Sequence, residues 1–154
     1  MAIIRRAEFP IDSAAVLDIW REFIANSPVN LDYQNNEVEF ASFTEKYAAP
    51  YGCVLLAEVD GVVGGCIAMR KVTASICEMK RLYVRSEARG KRLGRELAEQ
   101  LIAEARAVGY REMRLDVQAK FLAARQLYAD LGFVAAEPIS FNPVPGASFL
   151  GLHL

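Results

Sequence analysis

Between Lys80 and Arg95 the chain sets Lys80, Arg81, Arg85, Arg89, Lys91, Arg92 and Arg95 around a single interposed acid, Glu87. Gly90 and Gly94 stand four residues apart in the same stretch, so backbone amides there can approach a ligand without side chains in the way. From about Lys91 the residues have helical periodicity, and the first free N–H groups and positive dipole end of that helix point back into the turn. This is chemistry for an anion. The stretch is either a phosphate-binding turn or a solvated basic helix start.

The run Ala124-Arg125-Gln126-Leu127-Tyr128-Ala129-Asp130-Leu131-Gly132-Phe133 offers a different group. At helical spacing Phe121, Ala124, Tyr128 and Leu131 share one face, which turns Tyr128 inward. On spacing alone such a tyrosine reads as a core residue whose hydroxyl meets a carbonyl. His153 is the one histidine, and Cys53, Cys66 and Cys77 are the cysteines. That removes any serine or cysteine nucleophile paired with a histidine unless His153 serves, and no metal is expected. The cysteines fall in apolar runs and read as reduced core residues.

Helices and strands along the whole chain must position these groups. Ile3 to Phe9 reads as a strand ended by Pro10, and a helix capped at Asp12 or Ser13 runs to about Ala25 on Val16, Leu17, Trp20, Phe23 and Ile24. After the irregular Leu31–Gln34 segment, a second helix starts at Asn35 or Asn36 and carries Val38, Phe40, Ala41 and Tyr47. Cys53 to Val59 and Val62 to Met69 flank Asp60-Gly61, which suits a two-residue hairpin turn. Ser75 to Val84 comes next as the third strand of an antiparallel meander. Its Glu78, Lys80 and Arg81 are charges where a central strand should be apolar, so it bulges or opens one face on a site.

The helix from about Lys91 to Val108 packs Leu93, Leu97, Leu101 and Ala105 on the sheet. A strand, a crossover helix and the strand Met113 to Val117 occur in order, so the two strands should run parallel. A helix from about Lys120 to Leu131, a left-handed stop at Gly132, a strand from Phe133 and a last strand from Ser148 to Leu154 complete the chain.

A length of 154 residues with 53% hydrophobic content predicts a single domain over residues 1–154. A net charge of −1 without a polybasic tail argues against nucleic-acid and membrane-surface partners. The N-terminus lacks the layout of a signal peptide and no run reaches transmembrane length, so a cytoplasmic protein is expected. The apolar C-terminal strand would suit a sheet edge that pairs with a second copy in a homodimer.

Leu82-Tyr83-Val84 followed by Arg89-Gly90-Lys91-Arg92-Leu93-Gly94 resembles the pyrophosphate motif of the GNAT acetyltransferase superfamily, and Leu127 to Phe133 resembles its C-terminal motif. The order of elements is similar over nearly the whole chain. The resemblance implies an α/β (α+β) fold: a mixed, mostly antiparallel twisted sheet of about six or seven strands flanked by about four helices. It also implies transfer of acetyl from acetyl-CoA to an amine. Carried over by position, the backbone of Leu82, Tyr83 and Val84 would pair with the pantetheine arm, and Arg89, Gly90, Lys91, Arg92, Leu93, Gly94 and Arg95 would hold the pyrophosphate. Tyr128 would sit near the thioester sulfur as general acid. Glu78 resembles the base of some members, with Asp116 its competitor.

Two positions depart from the family pattern. Arg92 stands where the family usually has glycine, and Phe121 stands where it often has asparagine. The chemistry fits the residue types: an ammonium of pKa ~10 must lose a proton before it attacks, and a phenol of similar pKa can protonate a leaving thiolate. The expected acceptor is a small-molecule primary amine contacting Leu31–Phe43 and Phe141–Gly146, with Asp32, Glu37 and Glu39 available to attract a cation. Other readings are an acyl-CoA sensor or interaction domain with a silent Tyr128, a protein N-acetyltransferase, and an RNA-binding module on the basic turn.

Overall fold

In the computed structural model, which describes residues 2–154, the strands are β1 (Ala2–Arg6), β2 (Cys53–Val59), β3 (Val62–Lys71), β4 (Ile76–Val84), β5 (Glu112–Val117), β6 (Val134–Ala135) and β7 (Ser148–His153). They form one seven-stranded sheet of order β1-β2-β3-β4-β5-β7-β6. The helices are α1 (Ser13–Ala25), α2 (Asn36–Ala41), α3 (Phe43–Lys46), α4 (Leu93–Val108) and α5 (Leu122–Asp130). Every strand pair is antiparallel except β4 with β5. The mixed fold and the parallel crossover match the expectation.

Local signals account for much of this. Asp60 and Gly61 have φ of 52° and 80°, the left-handed pair a two-residue hairpin requires. Gly109 and Gly132, at 103° and 97°, end α4 and follow α5. One core lies between the sheet and α4, around Leu97, Leu101 and Met113. The other lies under α1 to α3, around Trp20.

Three boundaries differ from those expected from the sequence. β1 stops at Arg6 because the Asp12 carboxylate accepts the Glu8 amide at 2.7 Å and the Arg5 guanidinium at 2.8 and 2.9 Å, folding the chain into a turn. The second helix breaks at Ser42 into α2 and α3, giving five helices, and Phe40, Phe43 and Tyr47 all reach Trp20 at 5.3–5.8 Å. The C-terminal strand β7 lies between β5 and β6 and is therefore no sheet edge. That removes the ground for a homodimer formed through it.

β4 is irregular on both of its sides. Opposite β3, Cys66 faces Tyr83 and Ala68 faces Lys80, so Arg81 and Leu82 together oppose Ile67. Arg81 takes φ 62° in this bulge. Opposite β5, pairing lasts only from Ile76–Glu78 to Glu112–Arg114. Beyond it the strands splay, while β5 stays paired to β7 through Val117 and Ser148.

Gly52 anchors the loop leading into β2. A Cβ there would lie 2.9 Å from the Tyr47 backbone and 3.0 Å from the Met69 carbonyl oxygen. Backbone cannot yield as a flexible side chain can, so Gly52→Ala is expected to lower stability by about 1–3 kcal/mol in urea denaturation.

Candidate active site

The splay opens a cleft of about 550 Å³. Leu82, Tyr83 and Val84 form one lip, and Lys120, Phe121 and Ala124 form the other. Phe23 of α1 closes over both, with its ring edge-on to Tyr83 at 5.5 Å and to Phe121 at 6.2 Å. Phe121 thus extends the apolar roof, where asparagine would have offered a hydrogen bond. The Tyr83 hydroxyl donates to Glu22 at 2.9 Å and receives the Asn26 amide at 3.3 Å, which holds α1 against β4.

At the outer end lies the glycine turn. Gly90 and Arg92 both have positive φ, 82° and 60°, and α4 begins at Leu93, two residues later than periodicity predicts. The Arg92 carbonyl accepts the Glu96 amide at 3.1 Å, so the amides of Leu93, Gly94 and Arg95 have no partner within the helix. A non-glycine residue in this region costs about 1–2 kcal/mol, and the Arg92 side chain turns out to solvent. Leu93 is buried and offers the turn only its backbone.

Not all the cations stay there. Arg85 is drawn to α1, bonding Asp18 at 2.9 Å, Glu22 at 3.2 Å and the Val63 carbonyl at 3.0 Å. Lys80 and Arg81 face away from the turn, toward Glu39 of α2. Arg89, Lys91, Arg92 and Arg95 remain, and Arg89 donates through Nε to the Val84 carbonyl at 3.1 Å. Arg89 and Gly94 line the cleft.

Inside the splay is a second, narrower cavity of about 60 Å³. It shares Phe23, Leu82, Phe121 and Ala124 with the outer cleft, so the two are continuous. β4 contributes Lys80 and Arg81, β5 contributes Asp116, and Gln118 and Tyr128 complete the inner wall. Tyr128 is 6% exposed and packs on Phe133 at 5.6 Å. Among the described residues none hydrogen-bonds its hydroxyl. Burial, and after it the Asp116 carboxylate, push the phenol well above the usual tyrosine range, so it stays protonated at neutral pH.

The acids are distributed unexpectedly. Glu78 is buried, accepts the Arg70 Nε–H at 2.6 Å and does not line the cavity. Asp116 does, and accepts the Asn142 amide at 2.7 Å. Glu39, expected to face a cationic acceptor, is enclosed with Arg81, and Glu37 pairs with Arg21. The two segments expected to flank an acceptor do meet above the cavity. Tyr33 receives the Gln118 amide at 2.8 Å and lies edge-on to Phe141 at 6.4 Å. Phe23 and Gln118 escape sequence reasoning as site residues, because neither carries a spacing signal of its own.

Burial pushes the thiols of Cys53, Cys66 and Cys77 up to about 12, which makes them inert core groups as expected. Among the described residues no helix is long and apolar enough to cross a membrane.

Known proteins share this sequence pattern and this fold. The sequence profile of the acetyltransferase (GNAT) family matches residues 16–133. An uncharacterized N-acetyltransferase of Schizosaccharomyces pombe is 36% identical over 136 residues, covering 87% of this chain and 83% of the relative. An acetyltransferase of the GNAT family from Staphylococcus aureus superposes with a TM-score of 0.82 at 16% identity, over 99% of both chains. A Salmonella typhimurium protein solved with its cofactor acetyl-CoA superposes with a TM-score of 0.72 at 24% identity, over 99% of this chain and 93% of that one.

Proposed function

The chain belongs to the GNAT acetyltransferase family, and on that premise we propose that it transfers acetyl from acetyl-CoA to the primary amine of a small molecule by direct attack, with Tyr128 as proton donor. The observation that carries this reading is the continuity of the outer cleft with an inner cavity in which Tyr128 has an unengaged, protonated hydroxyl.

The residues present fit acetyl-CoA. The splayed edge of β4 at Leu82, Tyr83 and Val84 has backbone groups without a β5 partner for the pantetheine arm. The turn from Arg89 through Gly90, Lys91, Arg92, Leu93 and Gly94 to Arg95 offers helix-start amides and four cations for the pyrophosphate, of which Arg95 also pairs with Glu99 at 3.5 Å and Arg89 with the Val84 carbonyl. When bound, acetyl-CoA supplies an acetyl group activated as a thioester.

The chain's own groups then move the protons. Tyr128 keeps its proton at neutral pH and releases it toward the splay, where a departing thiolate needs one. Asp116, on the same cavity wall, takes the proton of the incoming amine directly or through one water. It takes the place suggested for Glu78, whose carboxylate Arg70 holds. A β4 amide facing the splay is the donor available to the acyl oxygen. The narrowness of the inner cavity under Leu31 and Gln34 favours a small acceptor.

Calorimetric titration of acetyl-CoA, followed by thiol release with a panel of small amines, tests this reading. Micromolar binding with release on some amines is the expected result. Binding without release on any amine would favour a sensor, and absence of binding would overturn the reading.

A further inference from the structure

The inner cavity has a charge pattern that the transfer reaction alone does not need. The bulge at Arg81 directs Lys80 and Arg81 to the same face of the sheet, where both approach Glu39. Holding Arg81 there requires a left-handed φ of 62°, a conformation that costs about 1–2 kcal/mol for a side-chain-bearing residue. The guanidinium is only 1% exposed and sits on the rings of Trp20 and Phe40 at 5.2 and 5.5 Å. Its Nη2 donates to Glu39 at 2.6 Å and to Asn36 at 3.1 Å. Its Nε and Nη1 are buried and have no hydrogen-bond partner among the described residues.

Lys80 repeats the pattern. Its Nζ is 4.0 Å from Glu39, beyond hydrogen-bond range, and burial lowers its pKa despite the attraction of Glu39 and Glu78. Glu39 cannot neutralise both, since it also receives the Tyr47 hydroxyl and lies 3.5 Å from Lys46. On this face Lys46, Arg70, Lys80 and Arg81 meet Glu39 and Glu78, with Asp116 across the cavity, and among the described residues the remaining donors of Arg81 and those of Lys80 are the ones left without an acceptor. Buried donors on a charged group that lack an acceptor are unfavourable until one arrives. The opposite wall has the reverse character. Asp116 and the Gln118 Oε1, which is buried without a donor, are acceptors on the β5 side.

We propose that the acceptor is an amine that also carries a carboxylate, bound with its carboxylate toward Arg81 and Lys80 and its nitrogen toward Asp116, Gln118 and Tyr128. This rests on the acetyl-transfer reading and names the substrate class of the same site. Arg81 supplies a planar set of donors for the carboxylate, and Lys80 supplies charge. Acceptors on the far wall orient the nitrogen for attack.

The test uses wild-type protein, acetyl-CoA and free amino acids paired with their carboxamides, which lack the anion and have a less basic amine, so kcat/KM is compared per unprotonated amine across a pH series. Thiol release is expected to favour the acids by on the order of 100-fold in kcat/KM, the range for a charged hydrogen bond. Lys80→Met should narrow that preference by about 10-fold, with its thermal melt and acetyl-CoA titration run alongside to show that it folds. Equal turnover of acids and amides would overturn the proposal while leaving acetyl transfer intact. If no amine is turned over, titration of N-acetyl amino acids against their methylamides gives an independent reading. Selective binding of the acids, weakened in Lys80→Met, supports the proposal, and indifference to the carboxylate overturns it.

Discussion

Tyr128→Phe is expected to lower kcat by about 10²–10⁴-fold with little change in acetyl-CoA affinity. Phenylalanine keeps the ring against Phe133 and fills the same buried volume. Because none of the described residues hydrogen-bonds the Tyr128 hydroxyl, its removal breaks no such bond, and the fold should be as stable or slightly more so. What disappears is the proton inside the splay. The raised pKa adds a second signature: wild-type rate should show no loss from Tyr128 ionisation up to pH ~10, the ordinary tyrosine value. Thiol release across a pH series, with calorimetry on both proteins, checks these expectations. An unchanged kcat would mean that solvent supplies the proton and that Tyr128 only shapes the cavity.

Glu39→Gln should produce the largest loss of stability, about 3–5 kcal/mol, in chemical denaturation. Glutamine keeps the shape but removes the anion that faces Arg81 at 2.6 Å, leaving the guanidinium with no buried counter-charge. Burial alone would raise the Glu39 carboxyl. Lys80, Arg81 and the Tyr47 hydroxyl outweigh that and hold it at about 2, against an ordinary 4.5. A carboxyl depressed by folding contributes stability that is complete above its unfolded pKa and is lost as pH falls through the folded one. Wild-type stability should therefore fall between about pH 4.5 and pH 2 with a share that the Glu39→Gln variant lacks. Parallel acid-unfolding slopes for the two proteins would show that Glu39 is already neutral in the fold.

The features legible in the sequence are those set by neighbours in the chain. Asp60-Gly61 makes its turn through its own backbone preferences, and Leu93, Leu97, Leu101 and Ala105 bury because helical spacing aligns them. Of the two readings of the β4 charges, a bulge or a face open on a site, the register opposite β3 bears out the bulge. The partners of these charges are not legible. Glu39 is 42 residues from Arg81, and nothing near either residue indicates that α2 will bring them together. Glu78 cannot be separated from Asp116 until Arg70, across the β3–β4 ladder, claims one of them. The start of α4 is hidden for a local reason: arginine has no preference for the left-handed conformation that Arg92 adopts, so no residue type marks the cap.

The short ladder between β4 and β5 also has a mechanical meaning. Three residues on each strand hold together a sheet whose other interior seams are longer. The sheet therefore resembles two leaves on a short spine, one carrying β1 to β4 and the other β5 to β7. Tilting one leaf against the other would open or narrow the gap while breaking few backbone bonds, and resistance to it comes chiefly from the shared core around Leu97, Leu101 and Met113. Any ligand that spans the gap acts as a brace between the two leaves, and its grip registers as slower amide exchange along the spine, well away from the atoms it touches.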